Sequence, residues 1–206
     1  QHVWSTIEHD IGYKTDVKIQ NEYLRQFSRL AGTLELVDNE FSRLRTEITN
    51  YRRQMKALLK NGQLDDVLLS SDSFRSYLEL NPFDRLNKHI AAVNQAELYP
   101  VSMMPFLSIF ESFGFETLGD VQRFIEENSE DAYQLALSQL AITDLDIFST
   151  TAAPLYLCQV YALKHDDSRK RLIFIYDTLN GKTDSNITQA DMMLEQAKTL
   201  PFMHSE

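Results

Sequence analysis

A run of apolar residues spaced alternately three and four apart constrains this chain most. Phe27, Leu30, Leu34, Val37, Phe41, Leu44, Ile48, Tyr51, Met55 and Leu58 keep that spacing without a break. With Phe27 at an a position they are the a and d residues of more than four heptads, the pattern of a helix with one apolar seam. The span 27–58 would be roughly 48 Å long at the α-helical rise. Glu40 and Glu47 fall at g, and Arg45 and Arg52 at e. A g residue five places before an oppositely charged e residue suits a parallel partner helix. Two arrangements answer the seam. It packs antiparallel against its own chain, or Phe27, Leu30, Leu34, Val37, Phe41, Leu44 and Ile48 meet a second copy in a homo-oligomer. Gly32 falls at an outward f position, where it costs about 1 kcal/mol of helix propensity and obstructs no seam.

The rest of the composition agrees with helix. Gly and Pro are scarce, at six and five in 206 residues, and such a chain makes one large domain or two small ones. Apolar runs such as LYLCQVYAL and RLIFIY are far shorter than the ~20 residues that span a bilayer. No basic segment followed by an apolar one opens the chain, so no signal peptide is expected. Cys158 is the single cysteine, set in an apolar run. A disulfide framework is excluded, and a buried structural thiol in a reducing cytoplasm is expected. Charge divides unevenly. Residues 1–60 hold ten Lys and Arg against eight Asp and Glu, or +2; residues 61–206 hold ten against twenty-two, or −12. The acidic part argues against duplex nucleic acid as a partner of that half, and no nucleic-acid partner is expected.

Beyond the seam the chain reads as short helices. Gly62 in NGQ offers a left-handed cap. DSFRSYLEL would be capped by Asp72 or Ser73. PFDRLNKHIAAVNQAEL begins near Pro82, and MMPFLSIFESFG ends at Gly114. TLGDVQRFIEEN and SEDAYQLALSQLA read as two helices, with Ser129 and Asp131 as caps of the second. TTAAPLYLCQVYALKH is apolar on most sides and is expected at the centre. RLIFIY has strand-like composition but no second strand-like run to pair with, so it reads as helix.

Candidate chemistry is sparse. There is no Gly-rich phosphate loop, no paired Cys and no Gly-x-Ser-x-Gly. His2 and His9 lie two turns apart, too far to share a metal held at ~2.0–2.1 Å. His165-Asp166-Asp167 is similar to the His-Asp pair of metal-dependent phosphohydrolases, but a lone pair beside SRKR reads as a helix entry, and no metal ligands are assigned. Residues 2–13 fit an amphipathic helix. Val3, Trp4, Ile7 and Ile11 share one face, and His2, Thr6, His9 and Tyr13 form a polar-aromatic stripe. Glu8 follows Trp4 by four, and Tyr13 follows His9 by four. Lys14 offers a point charge to a phosphate. From the residues alone this is either a ligand edge or an ordinary amphipathic helix with Trp4 in the core.

Trp-x-x-x-Glu-His-x-x-x-Tyr-Lys, as Trp4, Glu8, His9, Tyr13 and Lys14, resembles the end of the RelA/SpoT nucleotidyl-synthetase domain. RQFSRLAGTLELVDNEFSRLRTEI at 25–48 resembles the helix that follows it in alarmone synthetases, in the same order and spacing. Together the two segments cover about the first 50 residues. The resemblance implies a bacterial, cytoplasmic enzyme of the stringent response. That family transfers pyrophosphate from ATP to the 3′ hydroxyl of GDP or GTP, with Mg2+, to make guanosine tetraphosphate (ppGpp) and its relatives. It also implies that His9, Tyr13 and Lys14 edge the guanine-nucleotide site, while Trp4 and Glu8 support and orient. The family's basic ATP-binding segment, its magnesium-holding Asp and its Glu-x-Gln-x-Arg-Thr strand all precede this stretch and have no counterpart here. The implied role is thus the C-terminal portion of a longer synthetase, inactive alone and without catalytic residues or a cofactor of its own.

The expected fold is all-α: a long heptad-patterned helix followed by a bundle of short helices. Residues 1–60 would close a synthetase-like domain, whose parent fold would be α/β, and 61–206 would form a helical accessory domain. The alternative is a non-catalytic helical interaction or oligomerisation module.

Overall fold

Gly62 sets the first corner of the structure, a computed structural model that describes the backbone of residues 17–204 and the side chains of residues 21–204. Helix α1, Val17–Lys60, is one continuous helix of 44 residues. It ends where Gly62 takes φ +72°. Gly62 N–H donates to Leu59 O and Gln63 N–H to Leu58 O. These are the two bonds of a Schellman cap, whose left-handed residue favours glycine. The chain divides into two compact units between Gln54 and Met55, inside this helix.

The second unit, Met55–Glu206, contains a 3-10 turn at Leu64–Asp66. After it come α2 Ser71–Leu78, α3 Asp84–Ala91, β1 Glu97–Tyr99, α4 Phe106–Ser112 and α5 Leu118–Leu140. The order continues with β2 Ile147–Ser149, α6 Ala152–Leu163, α7 Ser168–Asn180, α8 Asp184–Ala197 and a 3-10 turn at Pro201–Met203. The fold is all-α, as its composition implies. None of the described helices is long and apolar enough to cross a membrane. RLIFIY lies inside α7, as expected.

Helix α6 is the centre of the second unit and packs against α3, α5 and α7. Ala153, Leu157, Cys158, Val160 and Ala162 are all fully buried. Cys158 is free, and burial pushes its thiol well above the usual value, so it is the inert structural thiol expected. Around α6 lies an aromatic cluster. Phe110 meets Phe74 edge-on at 5.7 Å and Phe124 at 5.4 Å, and Phe113 lies 4.5 Å from Tyr161. Such pairs add to area burial by about 0.5–1.5 kcal/mol each. The last turns of α1 join the same core through buried Met55 and Leu59.

Four details depart from the sequence reading. First, the cap of α2 is Ser70, not Asp72 or Ser73. Ser73 N–H donates to Ser70 Oγ at 3.3 Å and Ser70 N–H to Ser73 Oγ at 2.9 Å, a capping box with Ser73 at N3. Second, TLGDVQRFIEEN and SEDAYQLALSQLA form the single helix α5. Ser129 does not cap; its hydroxyl donates back to Ile125 O, while Asn128 Nδ2 donates to Phe124 O at 2.8 Å. Asp131 instead pairs with Lys164 Nζ at 2.6 Å. Polar side chains that bond to the preceding turn let a helix continue.

Third, the helix begun near Pro82 stops early. Gln95 sits at φ +53°, with Gln95 N–H to Ala92 O and Ala96 N–H to Ala91 O, a Schellman cap made without glycine. Asn94 Nδ2 ties this corner to Thr143 O at 2.9 Å. Fourth, the residues that follow form a strand. β1 pairs parallel with β2, Glu97 opposite Ile147, Leu98 opposite Phe148 and Tyr99 opposite Ser149.

Candidate functional site

In the first unit the site is the seam of α1. Its a and d side chains from Leu30 to Tyr51 are 41–67% exposed, and Phe27 is half-buried. Tyr23 continues the pattern one d position earlier and is also exposed. The polar face closes on itself. Thr33, Thr46 and Thr49 hydroxyls donate to the carbonyls of Arg29, Ser42 and Arg45, four residues back. Arg43 reaches both Glu40 and Glu47, at 3.1 Å for the latter. These pairs are exposed and screened by water, so they add little to stability. From Leu30 to Tyr51 the apolar stripe stays open to solvent. Helical stability in proteins comes mainly from packing an apolar face, and a contiguous exposed apolar stripe marks an interaction surface.

Trp4, Glu8, His9, Tyr13 and Lys14 lie outside the described residues. Around His165-Asp166-Asp167 the structure builds a helix junction. His165 Nδ1 lies 2.6 Å from Tyr161 O, and its ring stands 4.3 Å from the Tyr161 ring. Asp167 precedes α7 and accepts from Arg171 Nε at 2.5 Å. That hydrogen bond holds its carboxyl below the usual carboxylate range. Arg171 in turn lies over the rings of Phe113 and Tyr161 at 5.7 and 5.8 Å. Among the described residues no group of three or more His, Cys, Asp or Glu could hold a metal ion.

The second unit contains buried polar joints that the sequence pattern does not announce. Asn87 on α3 is buried. Its Nδ2 donates to Thr150 O at 2.7 Å, and its Oδ1 accepts from Ala153 N–H at 2.9 Å. One amide thus fixes the exit of β2 and a free N–H in the first turn of α6. Lys164, just past α6, bridges to α5 through Asp131 and through Asn128 Oδ1 at 3.0 Å. Gln159 on α6 is buried beside a cavity, and its Oε1 has no hydrogen-bond partner among the described residues. A Gln inside an otherwise apolar run was the one signal available for that site.

Comparison with protein-family models, with curated proteins and with solved structures finds no match for this chain.

Proposed function

We propose that this chain is the C-terminal portion of a RelA/SpoT-like GTP/GDP pyrophosphokinase of cytoplasmic guanosine tetraphosphate metabolism, and that the portion is inactive alone. The observation that carries the reading is the ordered pair of segments. Trp4, Glu8, His9, Tyr13 and Lys14 come first, then RQFSRLAGTLELVDNEFSRLRTEI at 25–48. The second segment falls wholly within α1, in keeping with the helical counterpart it resembles. Phosphoryl transfer rests on positioning and on neutralising charge with metal and cationic groups. The described residues offer no metal-holding cluster, so no step through magnesium is assigned to them. This chain's share is the edge of an acceptor site, with His9, Tyr13 and Lys14 toward the guanine nucleotide and Trp4 and Glu8 behind them. The test is pyrophosphate transfer to GDP or GTP by the parent protein with ATP and Mg2+. A guanosine tetra- or pentaphosphate product is expected, and its absence overturns the reading.

A second reading, a non-catalytic oligomerisation module, is favoured by the exposed seam of α1. Its occupant is a second copy of this chain, in parallel. That orientation sets Glu40 against Arg45 and Glu47 against Arg52 of the other copy. An antiparallel pair centred on this stretch sets g against g and brings the two glutamates together instead. Sedimentation equilibrium decides it. A dimer that dissociates when Leu34 and Phe41 are both changed to Gln is expected, and a monomer at high concentration overturns it.

A further inference from the structure

Strand β2 has an open edge. Glu97 N–H donates to Asp146 O at 2.8 Å, and Thr150 N–H donates to Tyr99 O at 3.0 Å. In the parallel register of the two strands, these bonds turn the backbone of Asp146, Phe148 and Thr150 toward β1 and that of Ile147 and Ser149 the other way. The N–H and C=O groups of Ile147 and Ser149 meet no hydrogen-bond partner among the described residues. Helix α3 packs along β1, and no element besides β1 packs along β2 to a like extent. Two donors and two acceptors thus stand open on one side of a strand, an arrangement that templates pairing with another strand. The surroundings are apolar and exposed. Ile147 is 55% exposed, Leu145 49% and Tyr99 48%, and Tyr99 shares the face of Ile147. Their charge has one sign. Glu97, Asp144 and Asp146 are exposed, and neither 89–122 nor 124–163 contains a Lys or Arg. The cations that bound those stretches are committed elsewhere: Lys88 to Asp84, Arg123 to Asp65 and Asp120, and Lys164 to Asp131.

We infer that the outer edge of β2 docks an extended peptide segment flanked by Lys or Arg, which adds to the sheet as a third strand. Ile147 and Ser149 offer such a strand up to four main-chain hydrogen bonds, in either direction. Apolar β-branched side chains at alternate positions of the segment pack beside Ile147 and Tyr99. Its cations answer Asp144 and Asp146, which supply selectivity more than affinity. The same carboxylates oppose a second copy at this edge, because two acidic edges would then meet. The site lies wholly in the second unit and rests on neither reading of α1.

The test is titration of the full chain, followed by NMR of its backbone amides, with a capped pentapeptide of alternating valine and threonine that has a lysine at each end. Two controls accompany it: the same peptide with its three central amides N-methylated, and one with glutamate at both ends. Expected are shifts at the Ile147 and Ser149 amides with the lysine peptide, binding about tenfold weaker after N-methylation, and weaker binding of the glutamate peptide. Ile147→Pro removes one outward N–H and no ladder bond, so it should weaken the lysine peptide about fivefold. Changing Asp144 and Asp146 to Asn should cost about threefold at low salt and less at high salt. Unmoved Ile147 and Ser149 amides at millimolar lysine peptide overturn the proposal, as does equal binding of the N-methylated peptide. Shifts at these two amides on concentrating the chain alone also overturn it, and assign the edge to a second copy. The peptides are compared on the unaltered chain, so they decide the matter even where Ile147→Pro fails to fold.

Discussion

Asn87 shows how much one side chain settles. Its amide joins α3 to the segment between β2 and α6 with one donated and one accepted bond, the second of them buried. Asn87→Ala removes the donor to Thr150 O and leaves Ala153 N–H unpaired in the interior. The expected loss is about 2–4 kcal/mol, read as a lower urea midpoint with an unchanged slope. The tyrosines make a second prediction. Burial raises Tyr156 to about 12, with Tyr176 adding to it, and burial raises Tyr176 to about 12. The unfolded chain ionises these phenols near pH 10, whereas the folded chain keeps them neutral. The unfolded state therefore releases protons first, and stability falls as pH rises from about 10 through 12. Below pH 10 the two groups contribute no slope. Each is worth on the order of 2 kcal/mol at the top of that window. Urea melts at stepped alkaline pH should show the decline, and Tyr156→Phe should make it shallower.

At the scale of elements, side-chain bonds to the backbone decide where helices begin and whether they continue. Thr117 opens α5 through a box with Asp120: Asp120 N–H donates to Thr117 Oγ1 at 3.2 Å and Thr117 N–H to Asp120 Oδ2 at 2.8 Å. Thr117→Ala should cost about 1 kcal/mol, and Thr117→Ser should recover most of it, as measured by thermal unfolding. The same chemistry marks the boundary of what the sequence discloses. The heptads of α1, the central place of α6 and the glycine cap at Gly62 are legible because period and backbone freedom are local properties. The fusion that makes α5 is not, because Ser129 and Asp131 suit a cap and a helix interior equally well. Only Lys164, 33 positions beyond Asp131, selects the interior role. β1 and β2 are three residues each and pair across about 50 positions, too short for any period to register. The cavity at Gln159 is equally hidden, since residues from α5, β2, α6 and α8 build it. The candidate nucleotide edge at His9, Tyr13 and Lys14 rests on resemblance alone, and those residues lie outside the described ones.

The molecule as a whole is two units that share one helix, and the share is unequal. Met55 and Leu59 are buried in the core of the second unit, while the seam before them is exposed. A chain beginning at Met55 should therefore unfold cooperatively near the temperature of the full chain. One beginning at Asn61 loses two buried side chains, worth about 3–6 kcal/mol together, and its melting temperature should fall by roughly 10 °C or more. A scanning calorimeter distinguishes the two. The exposed seam makes the complementary prediction for assembly. Its apolar residues supply affinity but say little about orientation, because a and d layers pack in either direction. Orientation rests on Glu40, Glu47, Arg45 and Arg52. In a parallel dimer, changing both glutamates to Arg sets like charges along both flanks and should weaken self-association by about tenfold or more at low salt, with less effect at high salt. Changing Arg45 and Arg52 to Glu in the same chain restores opposite pairs and should recover the dimer. An antiparallel dimer responds the other way: the glutamate changes alone convert one like-charged flank into another and leave association nearly unmoved. Sedimentation of the double and quadruple variants at two salt concentrations separates the two geometries.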